Sequence, residues 1–270
     1  MTEHRPPSNL PIILRDRPAL LVVAHPGHEL RVHAWLEMAR PEVWVLTDGT
    51  GHGAPNRLPS TRRRLHGAAA RPGPVFGAFS DRAAYDMLLA GEVGPWAAIA
   101  RRLAERLTSE EAPYVVADAL EGFNPVHDLC RVLVDTAVVL AERQRGTVLG
   151  FDFPLEASPD VHRVDDHAGD VRLVLDENAL ARKIAAARAD PDMAAEVERA
   201  LATHGEQAFA VERLRAVRPL RPLAEQLADP ALYERYGEQR VAAGHYGTVL
   251  RLGKHFVPFA DELRRLVLEV

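Results

Sequence analysis

Short apolar runs alternate with longer amphipathic segments along the first 150 residues of the chain. The first run, 19–24, is wholly apolar without helical spacing, which predicts a buried strand. Further strands are predicted at 43–47, 74–79, 114–118 and 148–153. Helices are predicted at 28–38, 57–70 and 127–143, and the long amphipathic segment 81–107 is predicted to be interrupted around 91–95. This β-α-β-α alternation predicts an α/β fold with a Rossmann-like, mostly parallel sheet and helices on both faces.

The pattern changes after residue 154. Residue 171 begins a short apolar run that predicts a late strand, and Asp176 is a predicted N-cap of the helix that follows. The rest of the chain, 193–270, is predicted to be mainly helical. Between these parts, residues 158–170 form a predicted polar loop that carries Asp160, His162, Asp165, Asp166 and His167.

Composition excludes several classes of protein. The chain has 270 residues, 47% of them hydrophobic, which is enough for a large core. Its net charge of −5 argues against a general nucleic-acid binder, and its single cysteine, Cys130, excludes an intrachain disulfide. No apolar run approaches the ~18 residues of a membrane span, and no leader is visible. We therefore expect a cytoplasmic protein without a membrane span.

Histidines lie in two of the loops that should meet at the carboxyl edge of the sheet, where α/β proteins bind ligands. His25 and His28 follow the first predicted strand, and His127 begins the helix after the fourth. Three imidazoles with one open position are the ligand set of a catalytic zinc that activates water. We therefore expect these residues to bind Zn²⁺ or another divalent metal. The alternative is that each histidine is only a cap or a surface group.

The motifs and their order resemble the PIG-L/LmbE superfamily of zinc-dependent N-deacetylases. The first strand of that family ends in Ala-His-Pro-Asp-Asp-Glu, and residues 24–29, Ala-His-Pro-Gly-His-Glu, match it at four of six positions. The later family motif His-Pro-Asp-His aligns with Asn-Pro-Val-His at 124–127. The phrase Leu-Thr-Asp-Gly at 46–49 also falls where the family has its second-strand loop. The resemblance covers roughly residues 18–215.

The resemblance implies a zinc hydrolase. The family's metal ligands align with His25, His28 and His127. The implied reaction cleaves an amide or related C–N bond on a sugar-like or other polar small molecule, such as an N-acyl amino sugar or glycoside. The implied organisation is an α/β domain at 1–215 with a helical C-terminal extension, 216–270, packed on it. Candidate substrate-binding residues are Asp48, Arg57, Asp81, Asn124 and His245.

Two departures from the family remove its usual proton-transfer groups. The position of the general base is Gly27, and the first histidine of the second motif is replaced by Asn124. Candidate catalytic replacements are Glu29, Glu121 and Asp128, and the sequence does not choose among them. Glu29 also has the alternative role of orienting ligands.

Other functional classes therefore stay open beside the hydrolase. One is a metal-binding but non-catalytic, small-molecule binding derivative of the deacetylase fold. A nucleotide-binding protein is disfavoured, because the glycines at 49–53 do not form G-x-G-x-x-G after the first strand. Asp48 has an alternative role as a turn former before Gly49. Assembly into a homo-oligomer is also left open.

Overall fold

A single sheet of seven strands organises the molecule. The computed structural model describes residues 10, 12–15, 17–53, 55–109, 113–156, 168–245 and 247–269, so most of the polar loop predicted at 158–170, including its Asp and His residues up to His167, lies outside the described residues. The strands in chain order are β1 (Ala19–Val23), β2 (Glu42–Thr47), β3 (Arg71–Phe79), β4 (Tyr114–Asp118), β5 (Gly150–Phe153), β6 (Val171–Val174) and β7 (Val211–Ala216).

Helices connect and cover these strands. In chain order the α-helices are α1 (Ile12–Arg15), α2 (His33–Ala39), α3 (Leu58–Gly67), α4 (Asp81–Ala90), α5 (Gly94–Leu107), α6 (Pro125–Arg145), α7 (Glu177–Arg188), α8 (Ala194–His204), α9 (Leu232–Ala242) and α10 (Val257–Leu268). A 3₁₀ turn, His28–Val32, precedes α2, so the helix predicted from 28 begins as a tighter turn. The interruption predicted around 91–95 is confirmed, because Gly91 ends α4 in a left-handed conformation before α5 begins.

The strand order identifies the switch point of the sheet at β1 and β4. The order is β3-β2-β1-β4-β5-β7-β6, and β1 to β5 are parallel. The chain first builds outward from β1 through β2 to β3, and then crosses to the other side of β1 to form β4. The pair β1 and β4 is therefore the topological switch point, where open α/β sheets bind ligands at the carboxyl ends of their strands.

Alternate side chains of β1 enter two cores on opposite faces of the sheet, and both sides of the strand are buried. Leu20 and Val22 join the core that contains residues of α4, α5, α6 and α10. Leu21 and Val23 join the core that contains residues of α2, α3, α7 and α8. This arrangement confirms the predicted α/β fold, with a mostly parallel sheet, helices on both faces and a C-terminal helix. The last helix, α10, packs on α5 and α6.

The described part of residues 193–270 is mainly helical, as predicted, but it also contains β7, a strand that the sequence pattern does not predict. This strand pairs antiparallel with β5 and with β6. Glu212 and Arg213 are buried within it, and each forms an ion pair, Glu212 with Lys183 at 2.9 Å and Arg213 with Asp170 at 2.7 Å. Buried charges removed the alternation of apolar and polar residues by which a strand is recognised in a sequence.

None of the helices in the described ranges combines the length and apolar character that crossing a membrane requires.

Candidate metal centre

Three histidines meet at the switch point of the sheet. His25 follows β1, His28 begins the 3₁₀ turn, and His127 is the third residue of α6. Their ring centres are 5.3 Å apart for His25 and His28, 5.0 Å for His25 and His127, and 4.5 Å for His28 and His127. The structure thus brings together the three histidines that the sequence analysis selected as metal ligands.

The separations between the three ring centres suit a shared ion. Three imidazoles on one tetrahedral zinc, at ~2.0–2.1 Å, would have ring centres about 5 Å apart. Within the described ranges, however, no group of three or more His, Cys, Asp or Glu side chains has the geometry to hold a metal ion.

The hydrogen bonds of His25 leave its Nε2 free to bind a ligand. The hydroxyl of Thr47 donates to the carbonyl of Ala24 at 3.0 Å, so its oxygen accepts from His25 Nδ1 at 2.7 Å. Asp81 Oδ1 lies 3.0 Å from the same nitrogen. With the proton on Nδ1, the lone pair is on Nε2, which is buried without a hydrogen-bond partner in the described structure. Such an unpaired buried atom requires an explanation, and a bound ion would provide one.

A buried carboxylate also holds His28. Its Nδ1 lies 2.9 Å from Oδ2 of Asp118, the last residue of β4. The same oxygen accepts the N–H of Ala24 at 2.7 Å, which fixes the carboxylate between β1 and β4. Metal-binding histidines commonly donate their second ring N–H to a carboxylate, which sets the tautomer and the orientation of the ring. Asp118 and Asp81 therefore each have a carboxylate oxygen beside Nδ1 of a histidine, His28 and His25 respectively.

Burial favours the neutral form of two of the three imidazoles. Burial lowers the pKa of His25, and burial together with the neighbouring His28 and His25 lowers the pKa of His127 well below its ordinary value. Burial alone would raise the pKa of Asp81, but hydrogen bonds from His25 and from the N–H of Gly51 outweigh it and lower that pKa. Neutral rings are the form that binds metal ions.

Glu29 shapes the loop of the histidines. It is fully buried, and its Oε2 accepts the N–H of Gly27 at 2.8 Å. Its Oε1 pairs with the guanidinium of Arg64 at 2.7 Å, and Arg64 also pairs with Asp190. Both oxygens of Glu29 are thus engaged, so its contacts are those of a residue that positions the loop.

Asp128, which follows His127, has one engaged and one unpaired oxygen. Its Oδ1 accepts the N–H groups of Glu121 at 2.9 Å and Gly122 at 3.1 Å. Its Oδ2 is buried and has no hydrogen-bond partner within the described ranges. Burial raises the pKa of Asp128 to about 7.

Glu121 and Asn124 have structural contacts on the same loop. A carboxylate oxygen of Glu121 accepts the N–H of Leu155 at 2.8 Å, which ties the loop after β4 to the end of β5. Asn124 is the N-cap of α6, and its Oδ1 accepts the N–H of Val126 at 2.8 Å. Both side chains therefore stabilise the loop and the helix start that present His127.

A methionine occupies the space beside Gly27. Gly27 has a φ of +106°, which residues with side chains rarely adopt, and a Cβ added there would lie only 2.4 Å from Sδ of Met193. Arg64 connects the two segments, because it pairs with Glu29 in the histidine loop and with Asp190 in the turn before α8. The N–H of Met193 donates to the carbonyl of Asp190 at 3.2 Å. Where the resemblance places a general base, this chain therefore has a thioether.

Arg57 approaches the same loops from the start of α3. A Cβ added at Gly49 would lie 2.6 Å from its Nε, and one added at Gly27 would lie 3.9 Å from its Nη1. Asp48 forms a local turn, in which its Oδ1 accepts from the N–H of Thr50 at 3.0 Å and from the hydroxyl at 2.7 Å. Of the predicted substrate-binding residues, Arg57 is thus beside the histidine loop, whereas Asp48 shapes the turn next to it.

His245 is exposed after α9, and no contact in the described structure joins it to the histidine cluster. Sequence reasoning did not identify Arg64 and Met193. Met193 has no local signal, since it is far from Gly27 in the chain. Thr47 could have been found, because a polar residue that ends a buried strand beside a histidine loop is a natural hydrogen-bond partner.

Comparisons with known proteins do not assign the chain to a family. No family model matches it, and no curated protein matches it significantly. Among solved structures, one similar chain is that of the conserved protein TT1542 from Thermus thermophilus. It has 18% sequence identity and a TM-score of 0.48, and the match covers 76% of this chain and 97% of that chain. A similarity at this level carries no argument about function.

Proposed function

We propose that the chain is a metal-dependent hydrolase of the PIG-L/LmbE deacetylase type. It would bind zinc, or another divalent metal, through His25, His28 and His127, and cleave an amide or related C–N bond on a sugar-like or other polar small molecule. One observation supports the proposal most strongly. Three clustered imidazoles stand at the switch point, and the buried Nε2 of His25 has no partner in the described structure.

The residues around the histidines have separable roles in this proposal. A bound zinc would supply Lewis-acid activation of the carbonyl and of water. Thr47 and Asp81 hold the proton of His25 on Nδ1, and Asp118 orients His28. These contacts keep the second nitrogen of each ring available for the ion and limit ring rotation.

Among the three candidate proton-transfer residues we favour Asp128, because of the state of its carboxylate. Both oxygens of Glu29 are engaged, and Glu121 accepts backbone N–H groups after β5. Only Asp128 among these three has a buried oxygen without a partner in the described structure. Replacement of Asp128 by Asn keeps the shape and one accepting oxygen, so metal should be retained while kcat falls by roughly 10²–10⁴-fold.

The experiment that tests the proposal measures amine release from a panel of N-acyl amino sugars and other N-acyl compounds. Zinc-loaded protein should hydrolyse at least one of them, and chelator-treated protein should not. His127→Ala should remove the activity, whereas His204→Ala, at an exposed site at the end of α8, should retain it. Equal activity with and without metal would refute the proposal.

The non-catalytic binding module is the second candidate function. It is favoured by the thioether of Met193 in the space beside Gly27, where no carboxylate can act on a water. This function predicts that zinc binds to the histidines but that no N-acyl compound is hydrolysed at any pH.

A further inference from the structure

We infer that the ligand of this site carries an oxyanion, a carboxylate or a phosphate, that binds Arg57 beside Gly27 and Gly49. The inference rests on the proposed function only in taking the histidine cluster as the active site. Binding of the oxyanion itself does not require the metal.

The backbone of Arg57 is held firmly at the start of α3. Its N–H donates to the carbonyl of Asp48 at 3.0 Å, and its own carbonyl accepts the N–H groups of Ser60 and Thr61. The N–H of Asp48 in turn donates to the carbonyl of Phe79 at the end of β3. The loop after β2 is therefore closed on the sheet, and it presents Arg57 at the carboxyl edge.

The guanidinium lies directly against two glycines. An added Cβ at Gly49 would be 2.6 Å from Nε and 3.2 Å from Nη2, and one at Gly27 would be 3.9 Å from Nη1. Both glycines have positive φ, +75° and +106°. The guanidinium thus stands between the loops after β1 and β2, next to the histidine cluster.

No group in the described structure neutralises this charge. The side chain of Arg57 has no hydrogen bond or ion pair there, and its Nε is buried without a partner. The carboxylates of the adjoining loops are engaged elsewhere, that of Asp48 with Thr50, Asp81 with His25, and Glu29 with Arg64. A half-buried guanidinium without a counter-charge is unfavourable, so a ligand is the expected source of the negative charge.

The chemistry of arginine indicates the class of ligand. Its planar, forked donors match the two oxygens of a carboxylate or phosphate, and charge-assisted pairs of this kind are among the stronger hydrogen bonds. The neighbouring thioether of Met193 is neutral and does not compete for the guanidinium. The substrate would therefore be a polar molecule with an oxyanion close to the bond that is cleaved.

The first test is calorimetric titration of the metal-free protein with inorganic phosphate. Wild type should bind phosphate, and Arg57→Gln should weaken binding at least about tenfold. Arg62→Gln is the matched control, because Arg62 is an exposed arginine of the same helix and lines an open groove of about 640 Å³ with Arg63 and His66. Absence of binding to wild type, or a loss in Arg62→Gln instead of Arg57→Gln, would overturn the inference.

A second pair of variants leaves Arg57 in place. Since Sδ of Met193 fills the space beside Gly27, Met193→Glu should bring a carboxylate within reach of the guanidinium and abolish phosphate binding. Met193→Gln has the same shape without the charge and should bind phosphate like wild type. Equal binding by the two variants would contradict the inference. Its failure is distinct from failure of the proposed function, because zinc binding to the histidines is measured separately.

Discussion

Substitution of Asp118 by asparagine should weaken metal binding without removing any proposed ligand. Asp118 is fully buried, and its Oδ2 accepts from the N–H of Ala24 at 2.7 Å and lies 2.9 Å from Nδ1 of His28. The amide oxygen of an asparagine can replace only part of these contacts, because it lacks the negative charge that fixes the tautomer of His28. Loss of an outer carboxylate typically lowers metal affinity by about 10–100-fold, or ~1.4–2.8 kcal/mol.

The assay is titration with zinc in the presence of a competing chelator, combined with urea unfolding of the metal-free protein. Asp170→Asn is the matched control, since Asp170 is also a buried carboxylate and pairs with Arg213 at 2.7 Å far from the histidines in the fold. Both variants should lower the free energy of unfolding, by roughly 1–3 kcal/mol. Only Asp118→Asn should weaken zinc binding. Unchanged affinity in that variant, or an equal loss in Asp170→Asn, would refute the reasoning.

Three further predictions concern the ligands and their surroundings. His28→Asp should retain zinc, because a carboxylate is also a zinc ligand, whereas His28→Gln should lose it in elemental analysis; the reverse result would show that His28 is not a ligand. A triple variant with Gly27→Asp, Asn124→His and Met193→Ala should raise hydrolysis of N-acetyl amino sugars by ~10²–10⁴-fold in kinetic assays. Met193→Ala is included because the thioether fills the space beside Gly27, where a side chain at positive φ also costs ~1–3 kcal/mol of strain. No gain with metal bound would leave the deacetylase proposal without support. Burial lowers the pKa of His127 well below its ordinary value, so His127 should contribute stability to the metal-free protein above pH 6.5 that is lost as the pH falls. Asp128 acts in the opposite direction, because burial raises its pKa to about 7, so the contribution of His127 is read from the difference in the free energy of unfolding between wild type and His127→Gln in urea titrations. That difference should fall below pH 6.5, and a difference that does not change with pH would refute the assignment.

The fold and the three histidines could be predicted because their signals are local. The continuous apolar run of β1 indicates a strand buried on both faces, and polar residues directly after it must lie at the carboxyl edge of the sheet. This rule and the order of the strands and helices are enough to predict that His25, His28 and His127 lie at that edge. The strand β7 could not be predicted in this way. Its charged residues Glu212 and Arg213 are buried in ion pairs, so its sequence resembles that of an exposed polar segment.

The surroundings of the histidines depend on contacts between distant parts of the chain. Met193 reaches Gly27 through the paired charges of Arg64, and nothing near either residue in the sequence records that contact. The sequence also gives no sign that Glu29 pairs with Arg64. From the sequence alone, the carboxylates of Glu29 and Asp128 are therefore equal candidates for the base. Which carboxylates are paired is a property of the packed structure.

Metal content tests the central claim most directly. Purified wild type, loaded with zinc and passed through a desalting column, should contain about one ion per chain in elemental analysis. His25→Ala and His127→Ala should contain almost none, while His204→Ala should match wild type. Undiminished zinc in both His25→Ala and His127→Ala, in folded protein, would contradict the assignment of this cluster as a metal centre.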